Sequence, residues 1–263
     1  MWFACNIVGF VCALISIFTP KPSHEYRLIW EDNFDAQTLD KKSWNKAQRT
    51  VSPWARHMSD ADQLYEIGDG RIRLWCRQNA GIDRNDTATV LTAGITTRNK
   101  RTFKYGKIEV RARMSSAQGC WCAIWMGPDA YNMPFAEIDI MEHVNHERKV
   151  YHTTHTEFTK NSNSNNNQIS TPVNVGRYNI YSVEILPEAV IYYVNGKEVL
   201  RYKNNKYRKD GKPVSDDVQY PFGTESYLLL TMHYGGQWVK SCNIGELPAY
   251  MDIDWVKAYE LKR

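Results

Sequence analysis

The chain has 263 residues, 43% of them hydrophobic and 24% charged, with a formal net charge of +4. A mean hydropathy of −0.55 excludes a polytopic membrane protein. The positive balance is scattered, with no basic run dense enough to track phosphates, so nucleic acid is excluded as a partner. Thirteen per cent aromatic residues, including nine Trp and sixteen Tyr, point instead to flat uncharged ligands or to a β-rich core.

Met1 to Phe18 carries no charge and gives way to Thr19-Pro20-Lys21-Pro22-Ser23. Its apolar core, roughly a dozen residues, has the length of a signal-peptide h-region and falls short of the ~20 needed to span a membrane. No Lys or Arg precedes the run and no small-x-small cleavage site follows it. Residues 1–23 are therefore read as a signal peptide or an N-terminal anchor, and 24–263 as one domain. The expected location is secreted, periplasmic or cell-surface, with no other membrane contact. Beyond the leader lie Cys76, Cys120, Cys122 and Cys242. One residue separates Cys120 from Cys122, which is not zinc-site spacing, so buried thiols are expected rather than a disulfide framework.

Almost every ordered-looking segment has strand character. Arg71 to Cys76, Lys107 to Arg113, Tyr178 to Leu186, Val190 to Val194 and Tyr227 to Met232 are short and rich in β-branched or aromatic residues. Turn signals separate them: Gly68-Asp69-Gly70, Asn195-Gly196, Asp210-Gly211 and Gly235-Gly236. Asn195-Gly196, between Val190–Val194 and Lys197–Tyr202, is the residue pair a type I′ hairpin prefers, because both central residues need positive φ. No stretch of a dozen residues keeps a 3.6-residue apolar period. Asn161 to Asn167 (NSNSNNN) reads as an exposed polar loop. The expectation is one all-β sandwich of two antiparallel sheets.

Glu137-Ile138-Asp139-Ile140-Met141-Glu142 breaks the strand rhythm. With period two, Glu137 and Asp139 share a face, whereas Glu142, five positions from Glu137, falls on the other. One extra residue, a β-bulge at or near Ile140-Met141, would bring all three acids to one face. Like charges so confined force at least one pKa upward, toward a group that can donate a proton at neutral pH. That division of labour suits a retaining glycoside hydrolase, whose two carboxyl groups stand roughly 5–5.5 Å apart. Glu137 is assigned as nucleophile, Glu142 as acid/base, and Asp139 as the hydrogen-bonding partner that sets the nucleophile's charge. A solvated acidic edge strand or a calcium-binding face is the alternative reading of these six residues.

The neighbouring blocks decide between them. Trp30-Glu31-Asp32-Asn33-Phe34-Asp35, Leu91 to Thr97, Phe103 to Glu109, Gly119-Cys120-Trp121-Cys122-Ala123-Ile124-Trp125-Met126 and Ile253 to Tyr259 occur in that order. With the E-x-D-x-x-E strand they resemble glycoside hydrolase family 16 over nearly everything after the leader. The resemblance implies a concanavalin-like β-jelly roll with the substrate in a cleft on the concave face, and makes 24–263 a catalytic domain. It implies an endo-acting retaining β-glycoside hydrolase that cleaves internal β-1,3 or β-1,4 bonds of a polysaccharide or oligosaccharide, either a galactose-containing glycan or a β-glucan such as laminarin, needing no cofactor and no catalytic metal. A structural calcium is known in the family, but no ligands are assigned here. A monomer is expected. A transglycosylase on the same site and a non-catalytic lectin are the alternatives.

Sugars present flat C–H faces and a rim of hydroxyls, so a groove wants aromatic platforms edged by polar groups. Trp121 and Trp125 match the family's tryptophans near the cleaved bond, although one of the two could be core. Tyr151, Thr153 and His155 share a face of the next strand, and His155 matches a family histidine placed to orient the acid/base. Gly235-Gly236-Gln237-Trp238 resembles the family's Gly-Gly-Asn-Trp loop, with Gln237 a polar contact and Trp238 a platform. Trp54-Ala55-Arg56-His57-Met58, ahead of an expected strand, supplies a candidate subsite wall, with Arg56 able to hold hydroxyls or a charged substituent. Departures concern specificity. Thr231-Met232-His233-Tyr234 stands where laminarin-cleaving members show Asn-Leu-Ala-Val, and Cys122 replaces a proline. Together with Tyr151 to His155, these changes look closer to members that cleave galactose-containing glycans, including mucin-type O-glycans, than to β-1,3-glucanases.

Overall fold

The computed structural model describes residues 24–129, 134–161, 167–206 and 218–262. The leader and most of the polar tract at 161–167 lie outside them. Among the described residues no helix is long and apolar enough to cross a membrane.

Two antiparallel sheets pack face to face. The nine-stranded sheet contains β1 (Tyr26–Asp32), β3 (Tyr65–Gly68), β4 (Arg71–Gln78), β5 (Val90–Thr92), β7 (Gly106–Met114), β12 (Asn179–Ile185), β13 (Ala189–Val194), β14 (Lys197–Lys203) and β16 (Ala249–Leu261). Its main order is β14-β13-β12-β7-β16-β4-β3, with β1 on β16 and β5 on β4. The seven-stranded sheet runs β11-β10-β9-β8-β15-β6-β2. These strands are β11 (Gln168–Pro172), β10 (Lys149–Thr156), β9 (Ala136–Val144), β8 (Cys120–Pro128), β15 (Ser226–Tyr234), β6 (Gly94–Thr96) and β2 (Asn45–Lys46). The only α-helix among the described residues is α1, Glu157–Asn161.

The alternation of β7 shows why the first sheet has one wet face. Ile108, Val110, Ala112 and Met114 are buried against the other sheet, while Lys107, Glu109, Arg111 and Arg113 point outward. Those outer side chains are tied across strands: Asp252 of β16, fully buried, accepts from Arg73 at 2.5 Å and Arg113 at 3.0 Å. Strands β8, β9 and β15 have no such wet face and are buried along nearly their whole length. Ile124, Met126, Ile138, Ile140, Leu228, Leu230 and Met232 meet the first sheet in one core. Their alternate residues line the sheet's other surface, where the acids lie.

The hairpin β13–β14 turns at Asn195 and Gly196 with φ of 51° and 78°, as the sequence requires. Ahead of the expected strand, which is β3, comes the stretch Trp54–Met58. That stretch is a run of turns ending in a single bridge between Met58 and Thr92, and β3 begins only at Tyr65. Cys76, Cys120 and Cys122 are buried free thiols, whereas Cys242 is a free but exposed one.

Candidate active site

Strand β9 is bulged. Against β10, Glu137 pairs with His155, Asp139 with Thr153 and Glu142 with Tyr151. Against β8, Asp139 pairs with Trp125 and Glu142 with Ala123. Three steps on β9 thus match two on each neighbour: Ile140 has no partner on β8, and neither Ile140 nor Met141 has one on β10. Ile140 and Met141, adjacent in sequence, both enter the core. Their partners on β10 (positions 151, 153 and 155) share a face, so the three acids do too.

The acids differ in surroundings. Asp139 and Glu142 are 4% and 7% exposed, whereas the Glu137 side chain keeps 30% of its surface open. Burial first, then the charge of Asp139, pushes the Glu142 carboxyl well above the usual carboxylate range. Glu137 is also raised by burial, but His155 and Lys160 of α1 oppose the shift. Burial and the Glu137 charge raise Asp139 strongly. The arrangement favours an ionised Glu137 beside a protonated Glu142, the pair that acid-assisted displacement needs.

His155 sits over Asp139 and Glu137, with Nε2 at 3.2 Å from Asp139 Oδ2 and 3.9 Å from Glu137 Oε1. It was expected to orient the acid/base, but it makes no hydrogen bond to Glu142. The reason is register: the ladder sets His155 opposite Glu137, and Tyr151 opposite Glu142. Asp139 likewise meets Glu137 through the imidazole, not by a direct hydrogen bond. One ligand atom from each of Glu137, Asp139 and His155 lies within 4.8 Å of the others, close enough to share a cation. Calcium prefers six to eight oxygens, so this trio with its imidazole nitrogen does not fit a structural calcium.

Trp121 Nε1 donates to Glu142 Oε1 at 3.1 Å. This bond favours the charged carboxylate and works against burial. Trp121→Phe is therefore expected to raise the Glu142 pKa further and move the alkaline limb of kcat/KM to higher pH. The accompanying loss of kcat/KM at neutral pH is about 10-fold, one charge-assisted hydrogen bond's worth. An unmoved limb in a pH–rate profile would disconnect Trp121 from the acid.

Trp121 also belongs to a row of rings crossing the sheet. Centroids are 5.3 Å apart for Tyr151–Trp238, 5.1 Å for Trp238–Trp121 and 4.4 Å for Trp121–His233. The row continues with 5.9 Å for His233–Trp54 and 5.1 Å for Trp54–Trp125. Trp125 is 8% exposed, yet it lies on the acid-bearing surface with Ala123, Leu229 and Trp54, outside the main core. Its Nε1 donates to Thr231 Oγ1 at 3.0 Å, and the same oxygen meets His233 Nε2 at 2.7 Å. Gln237 and Arg56 are both exposed, and neither is drawn into a hydrogen bond among the described residues. Trp54 joins the row of rings, and Arg56 does not.

Sequence reasoning placed Trp54 in a candidate subsite wall without giving it a role of its own, and it missed His233. Both stood inside quoted motifs, and the signal for His233 was its replacement of the family's alanine. Beyond Trp54, Tyr227 and Leu229 a concavity of about 1570 Å³ opens toward β6 and β2, edged by Asn45, Arg49 and Arg98. It adjoins the acids on the same surface without containing them.

A family model for glycosyl hydrolases family 16 matches residues 52–257. The chain belongs to glycosyl hydrolase family 16. Among its relatives, a keratan-sulfate endo-1,4-beta-galactosidase of Sphingobacterium multivorum is 32% identical over 244 residues, covering 90% of this chain and 56% of that protein. The chain thus spans little more than half the length of that relative. A beta-glucanase of Rhodothermus marinus is 27% identical, covering 94% of this chain and 90% of that one. The Rhodothermus marinus laminarinase structure superposes with a TM-score of 0.78 at 24% identity, over 92% of this chain and all of that one, and shows the shared jelly-roll fold. A structure from work on endo-acting O-glycanases of the human gut microbiota that initiate mucin breakdown superposes with a TM-score of 0.75 at 27% identity, over 90% of this chain and all of that one.

Proposed function

We propose that the protein is an endo-acting, retaining β-glycoside hydrolase that cleaves internal β-1,3 or β-1,4 bonds in a galactose-containing glycan. The observation that carries it is the bulge gathering Glu137, Asp139 and Glu142 on one surface beside a row of aromatic rings. Glu137, ionised and the most open of the three, attacks the anomeric carbon. Glu142, kept protonated by burial, gives its proton to the departing oxygen; water, deprotonated by the same group, then releases the sugar with retained configuration. Asp139, gripped by His155, holds the nucleophile's surroundings in place. Trp121, Trp125 and Trp238 offer faces to the sugar rings, with Trp54 as wall.

Galactose-containing glycans are preferred to β-glucan because Thr231, His233 and the Tyr151–Trp238 contact reshape the floor. The 32% identity to the keratan-sulfate relative supports the same choice. The apolar leader supports export.

The test is incubation with keratan, mucin-type glycans, agarose, porphyran, laminarin and lichenan, with products sized by mass and their anomeric proton followed by NMR. Expected are internal cuts in keratan or mucin glycans with β product formed first. Cleavage of laminarin alone would overturn the substrate, and an inverted first product would overturn the mechanism.

A further inference from the structure

We propose that His152 is a positioning residue for the reaction: it holds the β9 bulge in shape and thereby aims Glu142. The inference rests on the proposed role of Glu142 as acid/base.

His152 lies on β10 between Tyr151 and Thr153, opposite the register jump, and its side chain points to the core side, fully buried. It cannot touch a substrate. What it touches is the bulge: His152 Nδ1 stands 2.7 Å from the carbonyl oxygen of Ile140. Ile140, which has no ladder partner on β8 or on β10, is the very position where a bulge loosens the ladder. A buried carbonyl there needs a donor.

The tautomer follows from chemistry. A carbonyl only accepts, so Nδ1 carries the proton. Nε2 is then an acceptor, and Thr171 Oγ1 of β11, 3.1 Å away, donates to it. Every polar atom of the ring is thereby used. Burial draws the imidazole pKa down to about 4, so it holds a single N–H at working pH and that proton is committed to the bulge. The chain Thr171 → His152 → Ile140 thus links β11, β10 and β9. Two residues beyond Ile140 is Glu142, whose carboxyl must meet the glycosidic oxygen. A misplacement of about 1 Å in such a group costs about 100-fold in rate.

The test compares His152→Leu, which fills space without a donor, with His152→Asn, whose amide N–H can reach the same carbonyl as Nδ1–H. Glu142→Gln runs alongside. Expected for His152→Leu is a kcat lower by about 10–100-fold with KM within about twofold, and most of the loss restored in His152→Asn. Parent-like kcat in a folded His152→Leu, or a loss that His152→Asn does not restore, overturns the proposal. If His152→Leu fails to fold, Thr171→Val decides. It frees the ring while keeping the donor's position, and should lower kcat several-fold at unchanged KM; parent-like kcat there also overturns the proposal. Full activity in Glu142→Gln would instead strike at the acid/base assignment itself, so the two failures are told apart.

Discussion

Glu137→Gln lowers kcat on a natural glycan by roughly 10⁴–10⁶, and Glu142→Gln by roughly 10²–10⁴. The two amides keep the shape of the site and remove different chemistry. Glutamine at 137 cannot attack the anomeric carbon, so no substrate escapes the loss. Glutamine at 142 cannot protonate the leaving oxygen, and that matters only when the leaving group needs a proton. With an aryl glycoside whose phenol leaves as a stable anion, formation of the glycosyl-enzyme therefore recovers in Glu142→Gln and stays blocked in Glu137→Gln. Stopped-flow release of the phenol separates them. Equal recovery in both variants would dissolve the division of roles.

Glu142→Gln carries a second signature. Burial, Asp139 and Glu137 raise the Glu142 pKa in the folded protein, so near neutral pH the fold retains a proton that the unfolded chain releases. Stability then falls as pH rises from the ordinary carboxyl range, about 4, through the raised folded value. Glutamine does not titrate. The variant should melt higher than its parent near neutral pH, by ~2–4 °C for each kcal/mol at this size, and the gain should fade at acid pH. A lower melting point across the whole range would contradict the burial argument.

Gly106→Ala is expected to destabilise the fold by about 4 kcal/mol or more, a large share of the roughly 5–15 kcal/mol that holds a domain folded. Gly106 opens β7, where it pairs with both Ile185 and Glu260, and its φ is +153°. A Cβ there would stand 1.9 Å from the carbonyl oxygen of Tyr259 and 3.1 Å from Glu260 Cα. Both are backbone atoms of the neighbouring strand, which cannot retreat without unzipping β16 from β7. The control is Gly196→Ala in the β13–β14 hairpin, also at positive φ (+78°) but with nothing within 4 Å of the added carbon. It should cost only the backbone strain, about 1–2 kcal/mol. Urea melts of the two variants measure the difference, and equal midpoints would refute the steric account.

The strands were readable where one chain segment could state its own case. β7 alternates outside and inside without a fault, and Asn195-Gly196 names its turn. The bulge was readable too, because a misplaced acid at 142 has no cheaper explanation. What the sequence could not supply was anything decided across the sheet. The partner of His155 depends on which residue of β9 stands opposite it, and the ladder sets Glu137 there while Glu142 faces Tyr151. His152 had no legible role, since its partner is a carbonyl oxygen and carbonyls leave no trace in residue identity.

The row of touching rings has a consequence for watching the molecule at work. Four of the chain's nine indoles, those of Trp54, Trp121, Trp125 and Trp238, sit in that one row. Their emission therefore reports on the cleft far more than on the rest of the fold, and Trp238, 36% exposed at one end, is the ring an arriving sugar would shield from water. The protein carries its own optical gauge of occupancy, readable without a label.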